Sequence, residues 1–267
     1  MDIFQTEIEQ IAIERIQKFA KLAEKMKFEV CLGFSGGKDS QVTYDLCKRS
    51  GISFKAYFNH TFESPETLRF IREHYPDVVW HREYKYGFIE NITKAHNGYL
   101  PTSYIPYCCE DYKHNPKYVN DCSILGVRKQ ESAARSRRTT VSVKNKTTKK
   151  RIGSTVSEYF KENCQSVGTA SVIQLLPIVD WTKDNVWDYI HSHQLPVNPE
   201  YEHSERVGCI VCPKANFTSN YKSLIKYPKL INAFISARNR GGKTLTGLLH
   251  RIIRTIQMTN HTIFAAG

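Results

Sequence analysis

The run Phe34-Ser35-Gly36-Gly37-Lys38-Asp39-Ser40 constrains this chain more than any other stretch. It follows the short apolar segment Val30-Cys31-Leu32-Gly33-Phe34 and precedes Gln41-Val42-Thr43-Tyr44-Asp45-Leu46-Cys47, which reads as the start of a helix. Strand, Ser-Gly-Gly loop and helix together make a phosphate cradle. The glycines allow a tight turn that brings backbone N–H groups close to an anion, and the new helix adds its positive N-terminal end. Ser35 and Ser40 offer hydroxyls, Lys38 a cation and Asp39 a carboxylate suited to Mg²⁺. The spacing is neither that of the Walker loop nor that of the Rossmann glycine fingerprint. The plain alternative is a polar turn between strand and helix.

At 267 residues, with 40% hydrophobic and 12% aromatic content, the chain can hold one large α/β domain with an appendage, or two small domains. No apolar run approaches the roughly 20 residues needed to span a bilayer, and the N-terminus lacks an apolar signal core. A soluble, cytoplasmic protein without a membrane partner is expected. The formal net charge of +12 favours a polyanionic partner such as nucleic acid, or phosphorylated substrates. A generally basic surface with no specific partner is the competing explanation.

Apolar runs alternate with helical segments along the chain. A first helix is expected near Glu7 to Lys27 and strands at Ile52–Asn59, Val78–Trp80, Ser123–Leu125 and Val172–Leu176. Helices are expected at Pro65–His74, Gly87–His96 and Lys183–His193. Strands spaced by helices predict an α/β fold, a mostly parallel sheet with helices on both faces and ligands at the carboxyl ends of its strands. Thr139–Ser154 carries five cations (Lys144, Lys146, Lys149, Lys150, Arg151) and no acid, and reads as an exposed loop. Beyond Pro213 a small helical appendage is expected, ending in a basic helix, Leu245–Met258, that bears His250, Arg251 and Arg254 with Lys243 nearby. The expected division is residues 1–213 and 214–267.

Eight cysteines in a chain of this kind argue for metal or redox chemistry before disulfides. Adjacent Cys108-Cys109 and the pair Cys209-x-x-Cys212 stand out, while Cys31, Cys47, Cys122 and Cys164 read as structural. Trp181 and Trp187 are expected to pack the core.

Five ordered blocks carry a resemblance to the phosphoadenosine-phosphosulfate reductase family of the PP-loop superfamily, over about two-thirds of the chain. The first is Ser35–Ser40. The second is Asn59-His60-Thr61-Phe62-Glu63-Ser64-Pro65-Glu66-Thr67, where Asn59 stands for the usual Asp and Thr61 for the usual Gly. Cys108-Cys109 with Lys113 and Pro116 is the third, and Gly126-Val127-Arg128 through Glu131-Ser132 to Arg135 the fourth. The fifth runs through Pro177–Thr182, Val186-Trp187 and Leu195-Pro196-Val197-Asn198-Pro199 into Gly208-Cys209-x-x-Cys212-Pro213.

The resemblance implies an adenine nucleotide alpha hydrolase-like fold that binds ATP and cuts it between its α and β phosphates. It implies nucleotide contacts from Ser35, Gly36, Gly37, Lys38, Asp39, Ser40, Asn59, Glu63, Arg128 and Arg135, with Lys38, Asp39 and Arg128 catalytic. Arg128 and Arg135 would reach the nucleotide's oxyanions, as guanidinium forks do well; surface pairing with Glu131 is the alternative. It also implies a [4Fe–4S] cluster on Cys108, Cys109, Cys209 and Cys212, in keeping with four-thiolate ligation. A structural zinc site has the same ligands, and no metal is the third reading.

Reductases of this family end in a tail cysteine that attacks sulfur, whereas no cysteine follows Cys212 here. The expected activity is therefore that of an ATP pyrophosphatase that adenylates an acceptor oxygen for sulfur insertion. DNA phosphorothioation is favoured over tRNA thiolation, with sulfur from a partner such as a cysteine desulfurase. A sulfonucleotide reductase and a non-catalytic nucleotide-binding subunit of a modification or defence complex are the alternatives. The sequence leaves the oligomeric state open.

Overall fold

The computed structural model describes residues 3–81, 84–114, 122–145, 151–154 and 171–240. Pro116, Lys146, Lys149, Lys150, Cys164 and the expected helix at 245–258 lie outside the described residues. No helix among the described residues is long and apolar enough to cross a membrane.

Seven strands form one sheet in the order β3-β2-β1-β4-β7-β5-β6. They are β1 (Val30–Phe34), β2 (Lys55–Asn59), β3 (Val79–His81), β4 (Cys122–Leu125), β5 (Val141–Asn145), β6 (Arg151–Ser154) and β7 (Ser171–Leu175). The first five in spatial order are parallel. The apolar run of β1 is buried at four of its five positions, as a central parallel strand covered on both faces must be. β1 pairs with β2 on one side and β4 on the other, so connections leave it in opposite directions. That divergence opens a crevice at the carboxyl ends of β1 and β4, where such sheets bind ligands.

The expected loop at 139–154 is corrected by the structure. β5 pairs antiparallel with both β7 and β6 and extends the sheet as a hairpin. Val141, Val143 and Ile152 alternate with polar residues at period two, and Val141 is fully buried. The density of lysines around this alternation hides it in the sequence.

The α-helices among the described residues are α1 (Ile3–Lys25), α2 (Lys38–Arg49), α3 (Pro65–His74), α4 (Phe88–Lys94), α5 (Tyr107–Cys109), α6 (Lys183–Ser192), α7 (Phe217–Lys226) and α8 (Pro228–Arg240). α1 buries the stripe Ala12, Ile16, Phe19 and Ala23, spaced to share one helix face. It packs with α2 and α6, and these side chains join Leu32, Leu46, Ile124, Ile173 and Trp181 in one core. α6 starts at Thr182, whose hydroxyl accepts from the Asn185 N–H while the Asn185 carboxamide accepts from the Thr182 N–H.

The chain divides into two compact units. The first, which holds the sheet, comprises residues 1–59, 66–81 and 117–207. The second gathers residues 60–65, 82–116 and 208–267. Its core contains Phe88, Ile92, Tyr107, Tyr112, Ile210 and Leu224, and α4 packs on α8. Phe62 stacks on Phe88 with ring centroids 4.5 Å apart. The helical turn at Tyr107–Cys109 continues as a π-helix over Glu110–His114, a wide turn that often marks a site.

Candidate functional site

The loop between β1 and α2 is tied to itself by short polar contacts. Ser35 Oγ and Ser40 Oγ lie 3.1 Å apart, the Ser40 hydroxyl donates to the Gly37 carbonyl (2.8 Å), and the Ser35 N–H donates to Ser40 Oγ (3.2 Å). Gly36 has φ +73°, a conformation that L side chains avoid. A Cβ there would also crowd Ile71 and Thr67 of α3. The Gly36 carbonyl accepts from Gln41 Nε2 (3.0 Å) and from the Asn198 carboxamide (2.9 Å), which also reaches Thr67 Oγ1 (3.3 Å). Asn198 is wholly buried, so the loop is held from below by a residue 162 positions away.

Cations converge above the loop. Arg128 follows β4 and is positioned by its own N–H, which donates to Glu131 Oε1 at 2.7 Å. Its Nε bonds Asp39 Oδ1, while Lys38 Nζ holds Asp39 Oδ2 at 3.1 Å. Both carboxylate oxygens of Asp39 are therefore engaged by cations, and this arrangement offers Mg²⁺ no free carboxylate there. Arg128 is 4% exposed, and its Nη1 is buried without a hydrogen-bond partner among the described residues. A charged donor left unpaired in the interior is costly unless an acceptor arrives. An anionic oxygen placed in the crevice would be such an acceptor.

These groups line a cavity of about 390 Å³ in the first unit. Ser35, Gly37, Lys38, Asp39, Ser40, Arg128 and Arg135 all border it, and Gly36 lies in the same loop without being a lining residue. Arg135 also pairs with Glu131. Lys183 and Arg206 add further cations, which outnumber the carboxylates Asp39, Glu131 and Glu205. Asn59 and Glu63 are not among the lining residues. Asn59 ends β2, half-buried. Glu63 is buried in the second unit, where it accepts from the Thr61 N–H (2.8 Å) and from Lys113 Nζ (3.2 Å).

Sequence reasoning missed Gln41, Asn198 and Tyr201 as parts of the site. Asn198-Pro199 was visible as a block, but its contact with Gly36 is not written in any local spacing.

The second unit holds all four expected cysteine ligands. α5 carries Cys108 and Cys109; Cys209 bridges to Glu63 in a short β-contact. Val211, between Cys209 and Cys212, has φ +52°, a strained value for a β-branched residue and a mark of a constrained turn. The Cys108 thiol is pushed far up by its hydrogen bond with Cys109, then by burial and by the other thiols, Cys209 and Cys212 included. Burial raises the Cys209 thiol to about 11 against the pull of Lys113, whose ammonium donates to Cys209 Sγ at 3.0 Å. Burial disfavours the charge on Lys113, but Cys209 and Glu63 outweigh it and raise its pKa. Among the described residues no group of three or more His, Cys, Asp or Glu side chains is placed to hold a metal ion. The donor set itself, four thiols beside a half-buried ammonium, has the chemistry of thiolate ligation with charge compensation.

Comparison with known proteins bears on the family and the fold. The phosphoadenosine phosphosulfate reductase domain model matches residues 29–215. An uncharacterized protein of Methanocaldococcus jannaschii is 30% identical over 78% of this chain and 41% of its own length. A second from that organism is 24% identical over 88% of this chain and 54% of its own, so the chain spans about half the length of these relatives. Adenosine 5'-phosphosulfate reductase 2 of Bacillus subtilis is 26% identical over 67% of this chain and 70% of its own length. The phosphoadenylyl-sulfate reductase of Candida auris, solved as a phosphate complex, shares the fold at a TM-score of 0.50 and 16% identity, covering 78% of this chain and 96% of that one. With a family model matched over most of its length and a parallel sheet built as that family's is, the chain belongs to the phosphoadenosine phosphosulfate reductase family.

Proposed function

We propose that the chain is a PP-loop ATP pyrophosphatase that adenylates an acceptor oxygen so that sulfur can replace it. The observation that carries this reading is the buried, unpartnered Nη1 of Arg128 above the Ser35–Ser40 loop. In this reading the triphosphate lies on the loop, where Nη1 of Arg128 takes a phosphate oxygen while its Nε keeps Asp39. An acceptor oxygen attacks the α-phosphorus, the bond from that phosphorus to the bridging oxygen breaks, and pyrophosphate leaves with the electron pair. The loop amides, Lys38 and Arg128 stabilise the charge that develops. The terminal sulfur of the donor's persulfide then attacks the activated centre, AMP departs with the original oxygen, and a thiol reductant cleaves the remaining S–S bond, which leaves the sulfur on the acceptor and frees the donor thiol. No step is assigned to Mg²⁺, because Asp39 is already committed to two cations.

Cys108, Cys109, Cys209 and Cys212 would hold a [4Fe–4S] cluster, which when bound supplies either an anchor for the second unit or a route for electrons. Purified without oxygen, the protein is expected to be brown and to contain iron and acid-labile sulfide. A colourless protein with one tightly bound zinc would reassign the four cysteines to a structural site.

The acceptor we favour is the DNA backbone, with tRNA as the near variant, and the sulfur donor a partner such as a cysteine desulfurase. The net charge of +12 supports a polyanionic acceptor. ATP is expected to yield AMP and pyrophosphate in the presence of acceptor and donor. Nucleotide binding without pyrophosphate release would indicate a non-catalytic subunit. The similarity to the Bacillus subtilis adenosine 5'-phosphosulfate reductase supports a second reading, reduction of a sulfonucleotide. Sulfite production with thioredoxin as donor, at ordinary enzymatic rates, would establish that second reading over the first.

A further inference from the structure

The backbone N–H of Lys38 is the first amide of α2 and carries the partial positive charge of a helix start. It donates to the hydroxyl oxygen of Tyr201 at 2.8 Å. Tyr201 stands 163 residues further along, in the 3₁₀ turn Pro199–Glu202, and lines the same cavity. The Lys38 ammonium sits 5.5 Å from the ring centroid. A phenol is a weaker acceptor than an anionic oxygen, and burial pushes the Tyr201 hydroxyl further from ionising. An independent sign that an anion belongs beside this amide is Arg128, 96% buried, with Nη1 unpartnered in the same cavity.

We propose that Tyr201 gates the phosphate loop. Its hydroxyl holds the Lys38 amide while the cavity is free, and it turns aside when a phosphate oxygen of the nucleotide takes that amide. The inference rests on the nucleotide reading above and adds to it a positioning residue with two states. The turn provides a fixed pivot: Asn198 is wholly buried, anchored to Gly36 and Thr67, and its Oδ1 accepts from the Glu200 N–H at 3.0 Å. The ring also has a reporter. Trp187 of α6 meets it edge-to-face, with centroids 5.1 Å apart and planes at 79°.

The test uses Tyr201→Phe, which keeps the ring and removes the hydroxyl, with ATP and inorganic pyrophosphate as probes in calorimetry. The variant is expected to bind both about fivefold more tightly, because it no longer gives up one neutral hydrogen bond to admit the ligand. In the unmodified protein, saturating ATP is expected to shift tryptophan emission, and the shift is expected to vanish in Trp187→Phe. Equal or weaker binding by Tyr201→Phe overturns the gate, since the hydroxyl then either touches the ligand or only supports the fold. Unchanged emission at saturation also overturns it, and that measurement needs no variant at position 201. If the unmodified protein binds ATP and the variant binds it equally, the gate alone falls. If neither binds ATP or pyrophosphate, the gate and the nucleotide reading fall together.

Discussion

Replacing Arg128 with methionine is expected to weaken ATP and pyrophosphate binding by about a hundredfold while leaving the fold in place. The size follows from the state of the side chain before ligand arrives. Arg128 is buried, its Nε is held by Asp39, and its Nη1 has no partner among the described residues. A phosphate oxygen reaching Nη1 therefore adds a charge-assisted bond without breaking one. Such bonds contribute about 1.5–3 kcal/mol each, and about 1.4 kcal/mol is tenfold in affinity. Stability is expected to change little. Methionine fills similar space without a buried charge, and Asp39 keeps Lys38 Nζ at 3.1 Å. Lysine is expected to rescue only partly, because a single ammonium cannot hold Asp39 and present a second donor to the ligand at once. Calorimetric titration with ATP, paired with a thermal melt, reads both quantities. Affinity unchanged in a folded Arg128→Met protein would remove the cavity from consideration as a phosphate site.

The same arginine shows what the sequence could and could not convey. The strand–loop–helix order at residues 30–49 was readable because every cue there is local: an apolar run, two glycines, hydroxyls, then helical periodicity. The start of α6 was readable for the same reason, since Thr182 and Asn185 complete a capping box within four residues. Arg128 could be nominated from its motif, but its pairing with Asp39 spans 89 residues and depends on β1 and β4 lying side by side. Tyr201 left no local signal, and the Asn198-Pro199 block gave none of its contact with Gly36, because their partners in the loop are backbone groups, which any sequence supplies. The hairpin of β5 and β6 was missed for a different cause. Its period-two alternation spans only a few residues and lies within a run of lysines, where charge outweighs pattern. Glu63 was grouped with the nucleotide contacts because its block follows β2, yet its carboxylate faces Lys113 and Cys209.

Gly126→Ala is expected to be the most damaging single-methyl change in the first unit. Gly126 opens the turn after β4 that carries Arg128, and it lines the cavity. A Cβ built on it would collide with the backbone carbonyl group of Asp39, and would lie 2.8 Å from Thr43 Oγ1. Neither neighbour yields easily. The Asp39 carbonyl already accepts from the Thr43 hydroxyl at 2.7 Å within α2, so relief requires the helix and the β4 turn to move apart. Overpacking of this kind costs about 1–3 kcal/mol, at times more, and each 1 kcal/mol lowers the melting temperature of a domain this large by roughly 2–4 °C. The functional loss should exceed the loss of stability. Pushing α2 away from the turn separates Asp39 from Arg128 and moves the loop amides from the guanidinium they act with, and displacements near 1 Å are enough to disable such sites. A fall in melting temperature together with loss of measurable ATP binding is the expected result. A Gly126→Ala protein that melts and binds ATP like the parent would show that β4 and α2 do not approach as closely as described, and the convergence of Asp39 with Arg128 would have to be redrawn.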